Sequence, residues 1–317
     1  MNPLMQHDQQ LLARIGLAHI KARERARQRR QLRVALRFMA PALLLVGGLL
    51  LLPVLYNIWF SFTQWQLFEG RDDFAGWQNY IQLSDNPYFD EALGNTALWV
   101  VASVLFPLSL GLGMALLFRR MPGQEWFKSI IFLPRILAPT AAGVMWYYVY
   151  APQGMLNQML GVFTNMPVET GWLFEEQLVT PAIILAFVWQ SCGLVMVLLL
   201  LGLAALPRDP LEAARMDGAG PWPLFRHITL PLLAPTLLMV VILSVLAGFT
   251  VFDLLWVMGA NYPQQRTLSL AVFMYFEAFQ KNSWAFAAAT AVVIGGVVLA
   301  VTWLQTLLQA RADRMVR

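Results

Sequence analysis

Six stretches of this chain run for 26 residues or more without a formal charge, and no other feature constrains the fold as strongly. They lie between Arg37 and Glu69, Glu91 and Arg119, Arg135 and Glu169, Glu176 and Arg208, Arg226 and Asp253, and Lys281 and Arg311. A helix crosses a bilayer core about 30 Å thick with roughly 20 apolar residues. In that medium each backbone polar group must find its partner within the protein, which a helix does by itself. The runs therefore predict an all-α polytopic membrane protein with spans at 38–60, 95–118, 129–150, 179–204, 231–256 and 286–309. Composition agrees: 58 % of residues are hydrophobic and only 13 % charged, against about a quarter charged in soluble domains. Pro53, Pro107 and Pro235 fall inside spans, where neighbouring helices can satisfy the carbonyls they free.

Placing the charges orients the spans. Residues 1–37 hold nine Lys or Arg, and the 119–128 loop, the 205–229 loop and the tail after 309 hold three each. The alternate loops hold only Arg71, Arg266 and Lys281. Eighteen against three is a strong positive-inside bias. Both termini are thus expected in the cytoplasm, with 61–94, 151–178 and 257–285 outside. Arg135 reads as snorkelling toward the cytoplasmic surface, with a place on a pathway as the alternative.

The organisation that follows has three parts. A basic cytoplasmic leader occupies 1–37, a six-span domain 38–310 with a loop at 205–229, and a cytoplasmic tail 311–317. In the leader, Leu11, Ile15, Ala18 and Ala22 recur at helical spacing before "KARERARQRRQLR". Composition alone would suit nucleic acid. Tethering to a span favours an amphipathic helix on anionic headgroups, so no nucleic-acid partner is expected. The first apolar run lies too far from Met1, and is too long, for a cleaved signal peptide.

Catalytic chemistry is not written in the chain. Cys192 is the single cysteine and reads as a small buried hydrophobe. His7, His19 and His227 are scattered and make no metal-ligand pattern. A phosphate-binding G-x-x-x-x-G-K-[ST] loop needs a lysine after glycine, but the three lysines follow Ile20, Phe127 and Gln280. The chain is not expected to be an enzyme, to bind a metal or to carry a cofactor of its own.

One loop is more structured than a connector requires. In "RDPLEAARMDGAGP", Asp209 reads as a helix N-cap with Pro210 at the first helical position. Glu212 then reaches back in a capping box. Gly218 suits a left-handed C-terminal cap, and Pro221 stops the helix. About two turns, roughly 12 Å, result. So short a helix is unstable alone and needs a surface, from its own membrane domain or from a partner.

The order E-A-A, three residues, Gly, nine residues, I-x-L-P is met by Glu212, Ala213, Ala214, Gly218, Ile228, Leu230 and Pro231. It resembles the signature loop of the membrane subunits of binding-protein-dependent ABC importers. "FTQW", "FAGWQNY", "NTALW", "FLPRILAPT", "YAPQGMLNQML" and "FDLLWVM" occur in an order similar to that of the family's maltose-type, carbohydrate-uptake branch. The resemblance covers about residues 38–310. It implies a type I importer fold and an inner-membrane permease subunit for sugars in bacteria. It further implies that the loop helix is a coupling helix docking on a cytoplasmic ATPase subunit, which binds ATP and Mg. Glu212, Ala213, Ala214, Arg215, Asp217 and Gly218 would make that contact. The remaining partners implied are a second, related permease subunit in a heterodimer, a soluble binding protein outside, and the sugar.

Polar residues within the spans are the pathway candidates. Trp189, Gln190 and Ser191 lie mid-span four, Ser244 and Thr250 in span five, and Asp253 near its end. An aromatic beside hydrogen-bonding groups suits a sugar. Interhelical hydrogen bonding, worth about 0.6 kcal/mol on average, is the alternative for each. Glycerol phosphate or another polyol derivative stays open as the substrate. A secondary transporter would place acids at mid-membrane and a channel would show a filter, and neither explains the loop. The charge count makes a direct prediction. A single cysteine at position 165, in a chain with Cys192 replaced, is labelled by an impermeant reagent in cells whose inner membrane is intact. Labelling only after that membrane is opened would invert the topology.

Overall fold

The computed structural model describes residues 30–31, 34–64, 73–119, 121–259 and 267–316, with side chains to residue 307. Most of the basic leader, with its expected amphipathic helix, lies outside the described residues. The chain divides into two units, up to Trp59 and from Phe60 onward. The first holds most of helix α1, Val34–Phe60, whose 27 residues have the length and apolarity to cross a membrane. Within it Gly47–Leu51 forms a π turn, with the Leu52 N–H bonding back to the Gly47 carbonyl. Pro53 explains the turn: its ring crowds the carbonyl four residues earlier, and a wider turn relieves that.

The second unit is helical throughout its described elements. In chain order these are α2 Gln78–Ser84, α3 Pro87–Phe118, α4 Gln124–Ile136, α5 Pro139–Val149, α6 Met155–Thr164 and α7 Val179–Ala204. Then come α8 Arg208–Met216, α9 Pro221–Leu224, α10 Leu230–Phe249, α11 Asp253–Met258, α12 Leu270–Tyr275 and α13 Trp284–Val316. Among the described residues there is no strand, only one isolated bridge between Thr63 and Phe74. The polytopic all-α reading therefore holds.

Three boundaries differ from the sequence expectation. Helix α3 begins at Pro87, eight residues before 95, because Asn86 caps it: its side chain accepts from the Tyr88 N–H at 3.0 Å and Pro87 opens the first turn. The expected third span is a bent pair, α4 and α5, meeting at 98°. Leu137 and Ala138 are extended there, with ψ of 137° and 138°, because a residue before proline is driven from the helical region. Pro139 then starts α5, where its missing N–H costs nothing. The expected fifth span lies within a longer apolar one, Pro221–Met258, whose helix is interrupted at residues 250–252, between α10 and α11, without a bend of that size.

Helix α7 stands at the centre, against α3, α4 and α10. One buried cluster surrounds Trp99, Tyr150, Ile183, Leu255, Met258 and Leu270. The other surrounds Ala115, Met196, Leu199, Leu203, Leu233 and Val240. Trp99, fully buried, meets the Phe187 ring edge-on at 5.7 Å. Bilayers offer little hydrophobic drive between helices, so close backbone approach does much of the packing. A Cβ added at Gly193 would lie 2.3 Å from the Ile131 carbonyl oxygen on α4. Overpacking of this kind costs roughly 1–3 kcal/mol. Gly193→Ala should therefore lower the thermal unfolding midpoint in detergent, while Gly295→Ala, with nothing within 4 Å of the new carbon, should not. Equal midpoints for both would show that α4 is free to move away.

Candidate functional site

The loop after α7 folds as the sequence order implies, but with a different start. Helix α8 opens at Arg208 with Pro207 as its N-cap residue, and no side chain caps it. Asp209 and Pro210 are thus the second and third helical positions, and the expected Asp209–Glu212 capping box is absent. Pro207 is itself extended, with φ −60° and ψ 139°, and commits the chain to the helix two residues earlier than Asp209 would. Pro210 remains harmless, since the N–H of the third position has no intrahelical acceptor.

The C-terminal end matches the expectation. Gly218 has φ +81°, its N–H donates to the Arg215 carbonyl at 3.1 Å, and the Ala219 N–H donates to the Ala214 carbonyl at 2.9 Å. These two bonds are a Schellman closure, which needs a left-handed residue at this point. Of the nine residues of α8 only Leu211 is buried. Glu212, Ala213, Arg215, Asp217 and Gly218 are exposed, Ala214 is half-buried, and Met216 stands 88 % exposed.

A second constellation gathers at the α4–α5 break. Gln190 is buried, and its Nε2 donates to the Leu137 carbonyl at 2.9 Å, an acceptor that the break leaves without a helical partner. Asp253, at the start of α11, faces the Thr140 hydroxyl with Oδ1 at 3.5 Å. Two of the expected pathway residues therefore converge on residues 137–140. Trp189 is half-buried, edge-on to Trp146 at 5.6 Å; Ser191 is half-buried beside it. The remaining two lie elsewhere. The Ser244 carbonyl accepts from the Ser103 hydroxyl of α3 at 2.8 Å, and the Thr250 hydroxyl returns to the Leu246 carbonyl at 2.9 Å.

Sequence reasoning passed over Thr140, Trp146 and the aromatic residues beyond the second break. Phe252 stacks on Trp256 at 5.8 Å and 14°, and Tyr275 touches both, at 5.0 Å and 4.9 Å. The i, i+4 spacing of Phe252 and Trp256 was the only available signal; Tyr275 comes from an element that no local pattern connects to them.

The model of the family described as the binding-protein-dependent transport system inner membrane component matches residues 107–314. A probable ABC transporter permease protein of Pyrococcus horikoshii is 34 % identical over 260 residues, covering 81 % of this chain and 89 % of its own. The lactose transport system permease protein of Rhizobium radiobacter is 28 % identical, covering 84 % and 91 %. A chain in the crystal structure of a bacterial ABC transporter involved in import of the acidic polysaccharide alginate shares the fold. Its TM-score is 0.76 at 19 % identity, over 90 % of this chain and 96 % of that one.

Proposed function

Since the chain belongs to the family of binding-protein-dependent transport system inner membrane components, we propose that it is the sugar-conducting permease subunit of an ATP-driven importer. It works with a cytoplasmic ATPase, a second related permease subunit in a heterodimer, and a soluble binding protein outside. Both termini and α8 face the cytoplasm, as the eighteen-to-three distribution of Lys and Arg supports. Its sugar class is supported by similarity to the lactose permease protein and by the aromatic groups beside polar ones at the two breaks. Trp189, Gln190, Ser191, Ser244, Thr250 and Asp253 lie on or beside the path. ATP hydrolysis belongs to the partner.

The observation that carries the reading is α8 itself. Nine residues, closed at a fixed angle by Gly218 and with Leu211 as their one buried side chain, expose Met216 and Ala213 to whatever lies beyond. A helix this short needs packing to persist, so an exposed but geometrically fixed one is a preformed docking element. Glu212, Ala213, Ala214, Arg215, Asp217 and Gly218 present the surface that the ATPase receives. The alanines allow close approach.

Gly218 provides the test. A Cβ there meets nothing within 4 Å, so a substitution acts only through its φ of +81°. A β-branched residue is strained by roughly 1–2 kcal/mol in that region, whereas Asn tolerates it. Gly218→Val should insert normally, yet lower both substrate-stimulated ATP hydrolysis and uptake in proteoliposomes at equal incorporation. Gly218→Asn should retain more of both. Wild-type behaviour by both variants would reduce Gly218 to a spacer and remove the case for coupling through α8.

A further inference from the structure

Helix α6 presents an apolar stripe that neither the transport path nor the loop after α7 uses. We propose that α6 is an interfacial helix, with Met155, Met159, Val162, Phe163 and Met166 set into the lipid boundary at the end of the domain opposite α8. The partner of this surface is the phospholipid bilayer itself, at the level where acyl chains give way to headgroups.

Three faces divide the helix. Leu156 packs against the cluster around Trp99 and Tyr150, and Asn157 is buried, so this side belongs to the domain. Gln158 and Asn165 line a cleft of about 570 Å³ together with Gln153 and Glu169, so a second side is polar. The third side carries Met155, Met159, Val162 and Phe163, which fall within an arc of about 100° at 3.6 residues per turn. With Met166, which follows the left-handed cap at Asn165, these side chains are 49–80 % exposed. No formal charge interrupts the chain between Arg135 and Glu169.

Its attachment fixes its height. The Asn157 amide donates to the carbonyls of Pro152 at 3.0 Å and Thr170 at 2.8 Å, and its oxygen accepts from the Trp172 indole at 2.8 Å. Trp172 meets the Tyr150 ring at 6.3 Å, and the Tyr150 hydroxyl donates to the Ala182 carbonyl of α7 at 2.9 Å. Helix α7 has 26 residues, about 39 Å at 1.5 Å per residue, against about 30 Å of hydrocarbon. Centred on that core it projects by about 4–5 Å at each end, which is the rise from Val179 to Ala182. Ala182 thus marks the hydrocarbon boundary, and α6 is tied to that level through two rings and an amide. Tyr and Trp are the residues that gather there.

Height selects the occupant. A polar side toward water and an apolar side toward acyl chains are the pattern of a helix lying in the interface. Helix α5, which leads into α6, exposes Val144, Met145 and Tyr148 to the same medium. A soluble protein arrives from water and meets the cleft side, with Gln158, Asn165 and Glu169, before it meets the stripe. The stripe therefore anchors the 151–172 segment in the membrane boundary, and the cleft is what remains turned to water.

The test uses the complete transporter, assembled from cysteine-free subunits in proteoliposomes, with one nitroxide-labelled cysteine at a time on this chain. Positions 159, 162, 163 and 166 should collide more with oxygen, which concentrates in lipid, than with a water-soluble nickel chelate. Positions 158 and 165 should show the inverse ratio. All six are exposed, so a label there displaces no packing. A preference for the nickel chelate at 159, 162 and 163 overturns the proposal and puts the stripe in water. Shielding from both reagents before the binding protein is added overturns it in favour of a cover by the second permease subunit. Shielding that appears only on adding the binding protein overturns it in favour of docking by that protein.

Discussion

A peptide group in hydrocarbon has no water to fall back on, and this one constraint explains where the polar residues of the second unit sit. Two membrane segments are interrupted: one bends by 98° at Leu137–Ala138, and the other, Pro221–Met258, runs on as a single span with a short non-helical stretch at residues 250–252. Each break frees carbonyls that a continuous helix would have used. Gln190 supplies a donor to the Leu137 carbonyl at 2.9 Å, and the Ser269 hydroxyl supplies one to the Val251 carbonyl at 3.1 Å. Without such a donor a buried acceptor costs roughly 1–3 kcal/mol. A break is therefore affordable only where a neighbouring helix carries a polar side chain at the right height. Breaks and intramembrane polar residues are two views of one arrangement.

The same economy governs the packing. Gly193 on α7 lies against the α4 backbone, and Gly248 on α10 lies so close to α3 that an added Cβ would stand 2.7 Å from the Val100 Cα. Contacts this tight fix α7 against α4 and α10 against α3 with little help from side-chain shape. Proline adds local adjustments. Two of the π turns, Gly47–Leu51 and Phe225–Thr229, have C-cap residues, Leu52 and Leu230, that directly precede a proline. In both, a wider turn accommodates a ring that an α-helix would have to clash with or bend around.

Span number, central composition and the short loop helix were legible in the sequence because each rests on a local property: absence of charge, residue propensity, or a glycine at a left-handed position. Helix α7 was placed at residues 179–204 for that reason, and Gly218 was read as a cap. The break at Leu137–Ala138 was less visible. Pro134 and Pro139 lie five apart, and prolines within spans are so widely tolerated that neither marks a bend by itself. What selects the bend is Gln190, 53 residues away. The capping box failed for a related reason. Asp209 and Glu212 have the right spacing, but Pro207 took the cap position first, and local rules cannot rank two adjacent starts. The Tyr275 contacts with Phe252 and Trp256 depend on tertiary return of the chain and left no local trace.

The segment from α9 to α11 ties these features into one mechanical argument. Residues 221–249 form a helix continuous but for the π turn at Phe225–Thr229, and at 1.5 Å per residue they reach about 43 Å, more than a bilayer core. One end joins α8 through Gly218 and Gly220. The other stops at the break before Phe252 and Asp253. A stiff rod displaced at one end must displace the other, and the break decides where the motion is absorbed. Phe252 is its last residue and Asp253 lies just past it, facing Tyr275 and Thr140 respectively on other elements. Docking at α8, as proposed, would thus act on the aromatic residues at this interruption by changing the relation of Phe252 and Trp256 to Tyr275. No relay of small side-chain shifts across the membrane is needed. The prolines at 221, 223, 231 and 235 sit in the half nearest α8, leaving residues 236–249 free of proline and stiff up to the interruption at 250–252.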